Sequence, residues 1–269
     1  MSETPPQASP LAAVPAQPGP RSSAAATLRT PAAAHAPPAT VNGAATAAAP
    51  PATAIRAPAA AIRTQVTVPL RFADGFATTA RVFTFAGLAD GGEHLAIGLG
   101  EWQEALDRAR GGGPAPLVRP HSECLTGDVL GSQRCDCGPQ LREAVEYITE
   151  AGGLLLYLRQ EGRGIGLYAK LDAYALQDAG LDTYEANVAL GRGEDERDYT
   201  AAAQMLLALG VDRVALLSNN PDKAAQLERL GVQVAERIPT GVHLSEANGR
   251  YLAAKVRRAA HTLDLPPAG

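Results

Sequence analysis

His121-Ser-Glu-Cys-Leu-Thr-Gly-Asp-Val-Leu-Gly-Ser-Gln-Arg-Cys-Asp-Cys-Gly-Pro-Gln140 holds every cysteine of the 269-residue chain: Cys124, Cys135 and Cys137. Three sulfur ligands gathered this tightly suit a soft or borderline metal, and zinc is the usual one. Cys135 and Cys137 stand two apart, so they share a face where the backbone is extended. Cys124 must then fold back across the loop, where Gly127 and Gly131 can supply turns. Three protein ligands leave one tetrahedral position for water, which is the arrangement of a catalytic zinc. Other readings stand beside this one. A Cys135–Cys137 disulfide would close a strained ring and leave an odd thiol. Three free buried thiols sit poorly beside the polar Arg134, Asp136 and Gln140. A structural zinc completed by His121, within reach of Cys124, is the serious competitor.

Outward from this stretch, the pattern changes character on its two sides. Upstream, Val66, Val68 and Leu70 alternate, and residues 80–85 and 95–99 continue in the same manner. Asp74-Gly75 and Gly91-Gly92 punctuate these runs as turns, so residues 65–100 predict a small antiparallel sheet or partial barrel. Residues 101–110 predict a short helix with Trp102 and Leu106 on one face, stopped by Gly111-Gly-Gly113. Pro120 lacks an N–H and removes one possible backbone donor just before the cysteines.

Downstream, Leu141, Ala144, Val145 and Ile148 form a helical stripe and residues 154–158 a buried strand. A loop over residues 159–166 leads into a helix carrying Leu171, Tyr174, Ala175 and Asp178. Another helix spans residues 200–209, with Asp198 as its N-cap, and residues 214–217 form a strand. Asn220-Pro221 opens a helix over residues 222–230. A strand over 232–238 and an amphipathic helix over 249–263 complete the pattern. Strand–helix alternation after residue 141 predicts an α/β or α+β fold, in which the N-terminal antiparallel β region packs on a mixed sheet with helices.

Residues 1–64 are rich in Ala and Pro, lack Phe, Tyr, Trp and Lys, and contain Glu3 as their only acid. Such a segment buries too little to offset the entropy of ordering, and it predicts a disordered tail. A transit peptide has a similar composition, but the scattered prolines favour the plain tail. The expected catalytic domain is 65–263, with 264–269 a disordered C-terminus. A formal net charge of −4 without a basic block gives no electrostatic case for a nucleic-acid partner. No long uncharged apolar run predicts a membrane span. Free thiols used as ligands suit a reducing cytoplasm.

Arg119-Pro-His-Ser-Glu-Cys-Leu-Thr-Gly-Asp128, followed by Arg134-Cys-Asp-Cys-Gly138 and Gln140, resembles the GTP cyclohydrolase II family of riboflavin biosynthesis. Later stretches match in order: Arg159-Gln-Glu-Gly-Arg163, Ile165-Gly-Leu167, Tyr174-Ala-Leu-Gln-Asp178, Asp195-Glu-Arg-Asp198 and Asn219-Asn-Pro221. Several separate motifs over residues 65–263 are more specific than any one of them. The family usually has an apolar residue at Pro120 and passes more directly into the metal motif, so residues 101–113 read as an inserted surface excursion.

The resemblance implies zinc on Cys124, Cys135 and Cys137, and GTP held by Arg119, His121, Ser122, Glu123, Gln140, Glu161, Gly162, Arg163, Thr183, Ser218 and Lys223. Ser218 stands where the family usually has threonine, and keeps the hydroxyl. The resemblance gives Asp195 the role of proton acceptor and Arg197 that of attacking the α-phosphorus. A guanidinium has no free lone pair, so an electrostatic clamp is the other reading of Arg197. The resemblance also implies that Tyr174 takes part at the ring, that Mg²⁺ accompanies the phosphates, and that the chain forms a homodimer. Formate and pyrophosphate would be the small products.

The residues themselves set limits on this reading. No Walker loop is present. Gly162-Arg-Gly-Ile-Gly166 alone suggests a tight turn, and with Arg163 and helix-start N–H groups it predicts a phosphate cradle. Glu161 suits the N–H donors of guanine, or else balances Arg159 or Arg163 at the surface. A paralogue acting differently on GTP, and a non-enzymatic structural-zinc protein, remain alternatives.

Overall fold

Leu154, Leu155, Leu156 and Leu158 fix the centre of the molecule. They lie on β5 (Gly153–Leu158), and successive side chains of a strand point to opposite faces. Leu154, Leu156 and Leu158 enter one apolar cluster, and Leu155 enters the other. A strand buried on both faces reads as an unbroken apolar run, which is why it was legible in the sequence. The protein, seen here as a computed structural model, is described over residues 59–193, 195–245 and 248–249.

On one side of β5 lies β4 (Leu117–Ser122), parallel to it, followed by β6 (Arg213–Leu217) and β7 (Gln233–Ile238), also parallel. On the other side β3 (Leu95–Leu99), β2 (Ala77–Ala86) and β1 (Ala61–Arg71) pair antiparallel. The seven strands form one mixed sheet in the order β1-β2-β3-β5-β4-β6-β7. The fold class is the expected one, and the antiparallel region meets the parallel region edge to edge through β3 and β5. Helix α3 (Cys137–Ala151) covers one face through Ala144, Val145 and Ile148. Helices α6 (Thr200–Ala208) and α7 (Pro221–Arg229) cover the other through Met205, Leu206 and Leu227. Among the described residues no helix is long and apolar enough to cross a membrane.

Some expectations change. Strand β1 begins at Ala61, inside the segment expected to be tail. Residues 1–58, the C-terminal 264–269 and nearly all of the helix expected over 249–263 lie outside the described residues. Helix α1 (Trp102–Arg110) is not a surface excursion. Leu106 is buried in the core, and Trp102 meets Phe83 edge-on at 5.3 Å. Its seat on the sheet exists because position 98 is glycine: a Cβ there would lie 2.8 Å from the indole. The short helix α5 (Thr183–Ala189) was missed. Asp182 accepts from the N–H groups of Tyr184 and Glu185, while Glu185 accepts from the Asp182 N–H. That capping box was written in the sequence as Asp182-Thr-Tyr-Glu185.

Pro120 removes no ladder bond. The N–H and C=O of one strand residue point the same way, and the Pro116 carbonyl accepts from Ala215 on β6. Pro120 therefore faces β6 as well, but the β4–β6 pairing ends at Val118. The missing donor lies past the ladder, and the Pro120 carbonyl accepts instead from Lys223 Nζ at 2.7 Å.

Gly100 joins β3 to α1 at φ 57°, and a Cβ there would lie 2.1 Å from the Thr149 carbonyl of α3. Gly112 also has positive φ, with nothing within 4 Å. Gly112→Ala is expected to cost about 1–2 kcal/mol, the left-handed penalty alone. Gly100→Ala adds overpacking of about 1–3 kcal/mol to that penalty. Urea midpoints of the two variants, at unchanged m, check the ranking.

Candidate active site

Parallel strands β4, β5 and β6 end side by side, and ligands of α/β sheets bind beyond such carboxyl ends. Three loops open there: residues 123–136 after β4, a tight helical turn over Glu161–Gly164 after β5, and Ser218-Asn-Asn220 after β6. Helix α4 (Leu167–Asp178) and α5 close the remaining side of one cleft.

Cys124 precedes a single turn, α2 (Leu125–Asp128), and Cys137 opens α3. The three sulfurs lie within 4.8 Å of one another, Cys124 and Cys135 at 3.6 Å. They do not converge through extended backbone. Asp136 has φ −103° and ψ 12°, so the chain turns into α3 between Cys135 and Cys137. Gly127 floors the group: a Cβ there would lie 2.7 Å from Cys135 Sγ and 3.1 Å from Cys124 Sγ. A cradle of three sulfurs that only glycine leaves open fits a metal ion, and Cys124, Cys135 and Cys137 could hold it. Hydrogen bonds from the Cys135 and Cys137 thiols, with the Lys170 ammonium, draw Cys124 far below the ordinary thiol range. Cys135, donating to Cys124, is pushed up to about 11.

His121 stands outside this cluster, which removes the four-ligand alternative among the described residues. Its Nε2 donates to Asp128 at 3.1 Å, and its ring stacks on Tyr157 at 5.7 Å. The buried Asp128 carboxylate also accepts from the Cys124 N–H at 3.0 Å and from the Tyr157 hydroxyl at 2.9 Å. Burial lowers the pKa of His121 and Asp128 only partly offsets it, which favours the neutral ring, and the Asp128 carboxylate, an acceptor, calls for the proton on Nε2. His121 Nδ1 and the Arg119 Nε–H are buried and make no hydrogen bond among the described residues. The other Arg119 nitrogens donate to the Leu217 carbonyl at 3.0 Å and to Gln140 at 3.1 Å.

Glu161 is neither at the surface nor paired with Arg159 or Arg163. It is 8% exposed; Oε1 accepts from Lys170 Nζ at 2.7 Å and from the Gly162 N–H, and Oε2 from the Leu125 N–H. Arg159 pairs with Glu123 instead. The backbone cradle expected of Gly162-Arg-Gly-Ile-Gly166 is largely occupied: the N–H groups of Gly162, Ile165 and Gly166 all turn to Glu161. What the loop offers the cleft is the Arg163 side chain. Arg163 has φ 65°, the one described non-glycine residue at positive φ, a conformation costing about 1–2 kcal/mol. Its guanidinium stacks on Tyr184 and reaches Asp195 at 3.3 Å.

Asp195 also grips Arg197 through both oxygens. Burial alone would raise its pKa, but Arg197 and Arg163 hold it below the ordinary carboxylate value. Tyr174 lies 3.4 Å from Thr126 through its hydroxyl, under the Arg134 guanidinium at 4.7 Å. Burial raises its pKa, so it remains a phenol. Ser122, Glu123, Gln140, Thr183, Ser218 and Lys223 all line the cleft; Asp195 reaches it through its two arginines. Sequence reasoning missed Lys170, Asp128 and Tyr157. Lys170 donates to Glu161, to Thr126 Oγ1 at 3.0 Å and to Cys124 Sγ at 3.1 Å. Burial works against its charge, but Glu161 and Cys124 raise its pKa above the usual lysine range. No spacing could have revealed it, because its partners come from two other segments.

Fold and cleft define an α/β enzyme with a three-cysteine centre able to hold a metal ion. A family profile described as GTP cyclohydrolase II matches residues 63–239. GTP cyclohydrolase-2 of Vibrio cholerae is 50% identical over 186 residues, covering 69% of this chain and 90% of that relative. GTP cyclohydrolase-2 of Psychromonas ingrahamii is 45% identical over 205 residues, covering 76% and 98%. Riboflavin biosynthesis protein RibBA of Bacillus velezensis is 50% identical over 199 residues, covering 74% of this chain and 47% of that relative. The chain belongs to the GTP cyclohydrolase II family, hydrolases of riboflavin biosynthesis whose substrate is GTP.

A histidine whose folded pKa lies below its unfolded value binds fewer protons when folded. Stability then rises with pH between the two values and is lost as pH falls below the ordinary 6.5. Melting temperature of the wild type is expected to fall more steeply than that of His121→Asn on acidification below that value. Parallel slopes would show that His121 does not contribute.

Proposed function

We propose that the chain opens the five-membered ring of the guanine of GTP by hydrolysis at C8, releases formate, and cleaves pyrophosphate from the triphosphate. The remaining product is a diaminopyrimidine bearing a phosphoribosylamino group. One observation carries this reading: three sulfurs converge in the same cleft as Arg119, Arg163, Arg197 and Lys223. A sulfur-bound metal serves hydrolysis at a ring carbon, and a group of cations serves a polyphosphate.

On this reading Cys124, Cys135 and Cys137 hold one zinc per chain. Zinc, when bound, supplies Lewis-acid activation of water and of the ring carbon. The phosphates carry Mg²⁺, which shares their charge with the arginines. Neutral His121 offers Nδ1 as an acceptor, and guanine brings N1–H and N2–H₂ donors. Glu161 takes two of its three internal donors on Oε1, so Oε2 keeps room for a guanine N–H. Arg119, Ser122, Glu123, Gln140, Gly162 and Thr183 shape the rest of the GTP site, with Ser218 and Lys223 at the end of β6 and start of α7.

Asp195 held by two guanidiniums is a weak base. Phosphate oxygens compete for Arg163 and Arg197, and their arrival frees the carboxylate to accept a proton. Arg197 itself keeps its proton, and the two-point grip on Asp195 supports a clamp that moves onto the α-phosphate as charge develops there. Tyr174 acts as an O–H donor beside the sulfur centre. The same reading makes the enzyme a cytoplasmic homodimer.

Incubation with GTP and Mg²⁺ is expected to yield formate and pyrophosphate together. Cys135→Ser loses formate release while keeping the far-UV circular dichroism of the wild type. Arg197→Ala lowers pyrophosphate release by about 10²–10³-fold. Formate without pyrophosphate from the wild type would overturn the proposed product. Gly127→Ala, which places a methyl group against two sulfurs, is expected to weaken metal affinity about tenfold or more in a chelator competition.

A further inference from the structure

Lys170 stands between two negative groups that belong to different segments. Its Nζ lies 3.1 Å from Cys124 Sγ and 2.7 Å from Glu161 Oε1, and Thr126 Oγ1 takes a third contact at 3.0 Å. The ammonium's three donors thus have three partners, and the residue is 9% exposed. Glu161 in turn accepts from the N–H of Leu125, the residue after Cys124. The chain of contacts runs from the turn after β5, through α4, to the first sulfur and the backbone beside it.

Three thiolates on a divalent ion leave the centre with a formal charge of −1. An N–H⁺···S contact fixes the direction of a sulfur ligand and withdraws electron density from it, as partners of metal ligands commonly do. Without Lys170, the Glu161 carboxylate would face that anionic centre uncompensated in a buried place. We propose that Lys170 is a positioning residue of the metal centre. It orients Cys124, weakens the donation of its sulfur, and so keeps a three-sulfur site electrophilic beside a buried carboxylate. The inference rests on the reading of Cys124, Cys135 and Cys137 as metal ligands.

The test uses the full chain loaded with Co²⁺, read by the sulfur-to-cobalt charge-transfer band and by the rate at which a chelator removes the ion. Lys170→Met is expected to move the band to lower energy and, because Cys124 loses the contact that orients it, to speed release of the ion by about 10–100-fold. Lys170→Arg, which keeps a cationic N–H donor, returns the band toward its wild-type position. Lys170→Met also leaves Glu161 unpaired, so the double variant Lys170→Met, Glu161→Gln separates folding from the effect on sulfur. The double variant keeps an acceptor for Leu125 and is expected to keep the shifted band. A folded double variant with the wild-type band and release rate would overturn the role of Lys170 alone. A wild-type chain that shows no sulfur-to-cobalt band would overturn the metal reading and this inference together.

Discussion

One buried carboxylate holds the cleft in shape. Asp128 accepts from the Cys124 backbone, the Tyr157 hydroxyl and the His121 ring. A carboxylate taken out of water is costly unless donors surround it, and these three donors offset that cost. Through them the first sulfur is tied to β4 by way of His121 and to β5 by way of Tyr157, which face each other in the sheet register. The cysteine loop is thereby anchored to the buried centre of the sheet.

A second constraint is charge. The cleft brings sulfurs, carboxylates and guanidiniums into a small partly dry space, and each anion found there has a partner: Glu161 with Lys170, Glu123 with Arg159, Asp195 with Arg163 and Arg197. Such pairs do little for stability, because desolvation offsets attraction. Their value is in readiness. A polyanionic substrate exchanges one anionic partner for another around the same arginines, without the need to build a positive pocket afresh.

Local rules made much of this legible. The apolar run of β5, the stripe on α3, and Asn220-Pro221 at the start of α7 are statements about neighbours in sequence, and the sheet and helices formed where they pointed. The edge of β1 and the helix α5 escaped only because their signals were short, and the latter was present as a capping box. The cysteines were legible as a cluster because their spacing is itself short. Where the reading failed, packing overrode spacing. Cys135 and Cys137 converge through a helix-start turn, and the α1 segment docks because Gly98 leaves room for Trp102.

The alternation of elements, the three candidate ligands and the family resemblance could be read from the residues alone, since each is carried by short motifs of neighbouring residues. Only the tertiary structure decided the partners of Glu161, the tautomer of His121, the place of Lys170 and the harmlessness of Pro120. Several of those contacts join groups far apart in the chain, Leu125 with Glu161 across 36 residues and Pro120 with Lys223 across 103. Hydrogen bonds and desolvation act over a few ångströms of space, and the order of residues along the chain does not specify that distance until the sheet has formed.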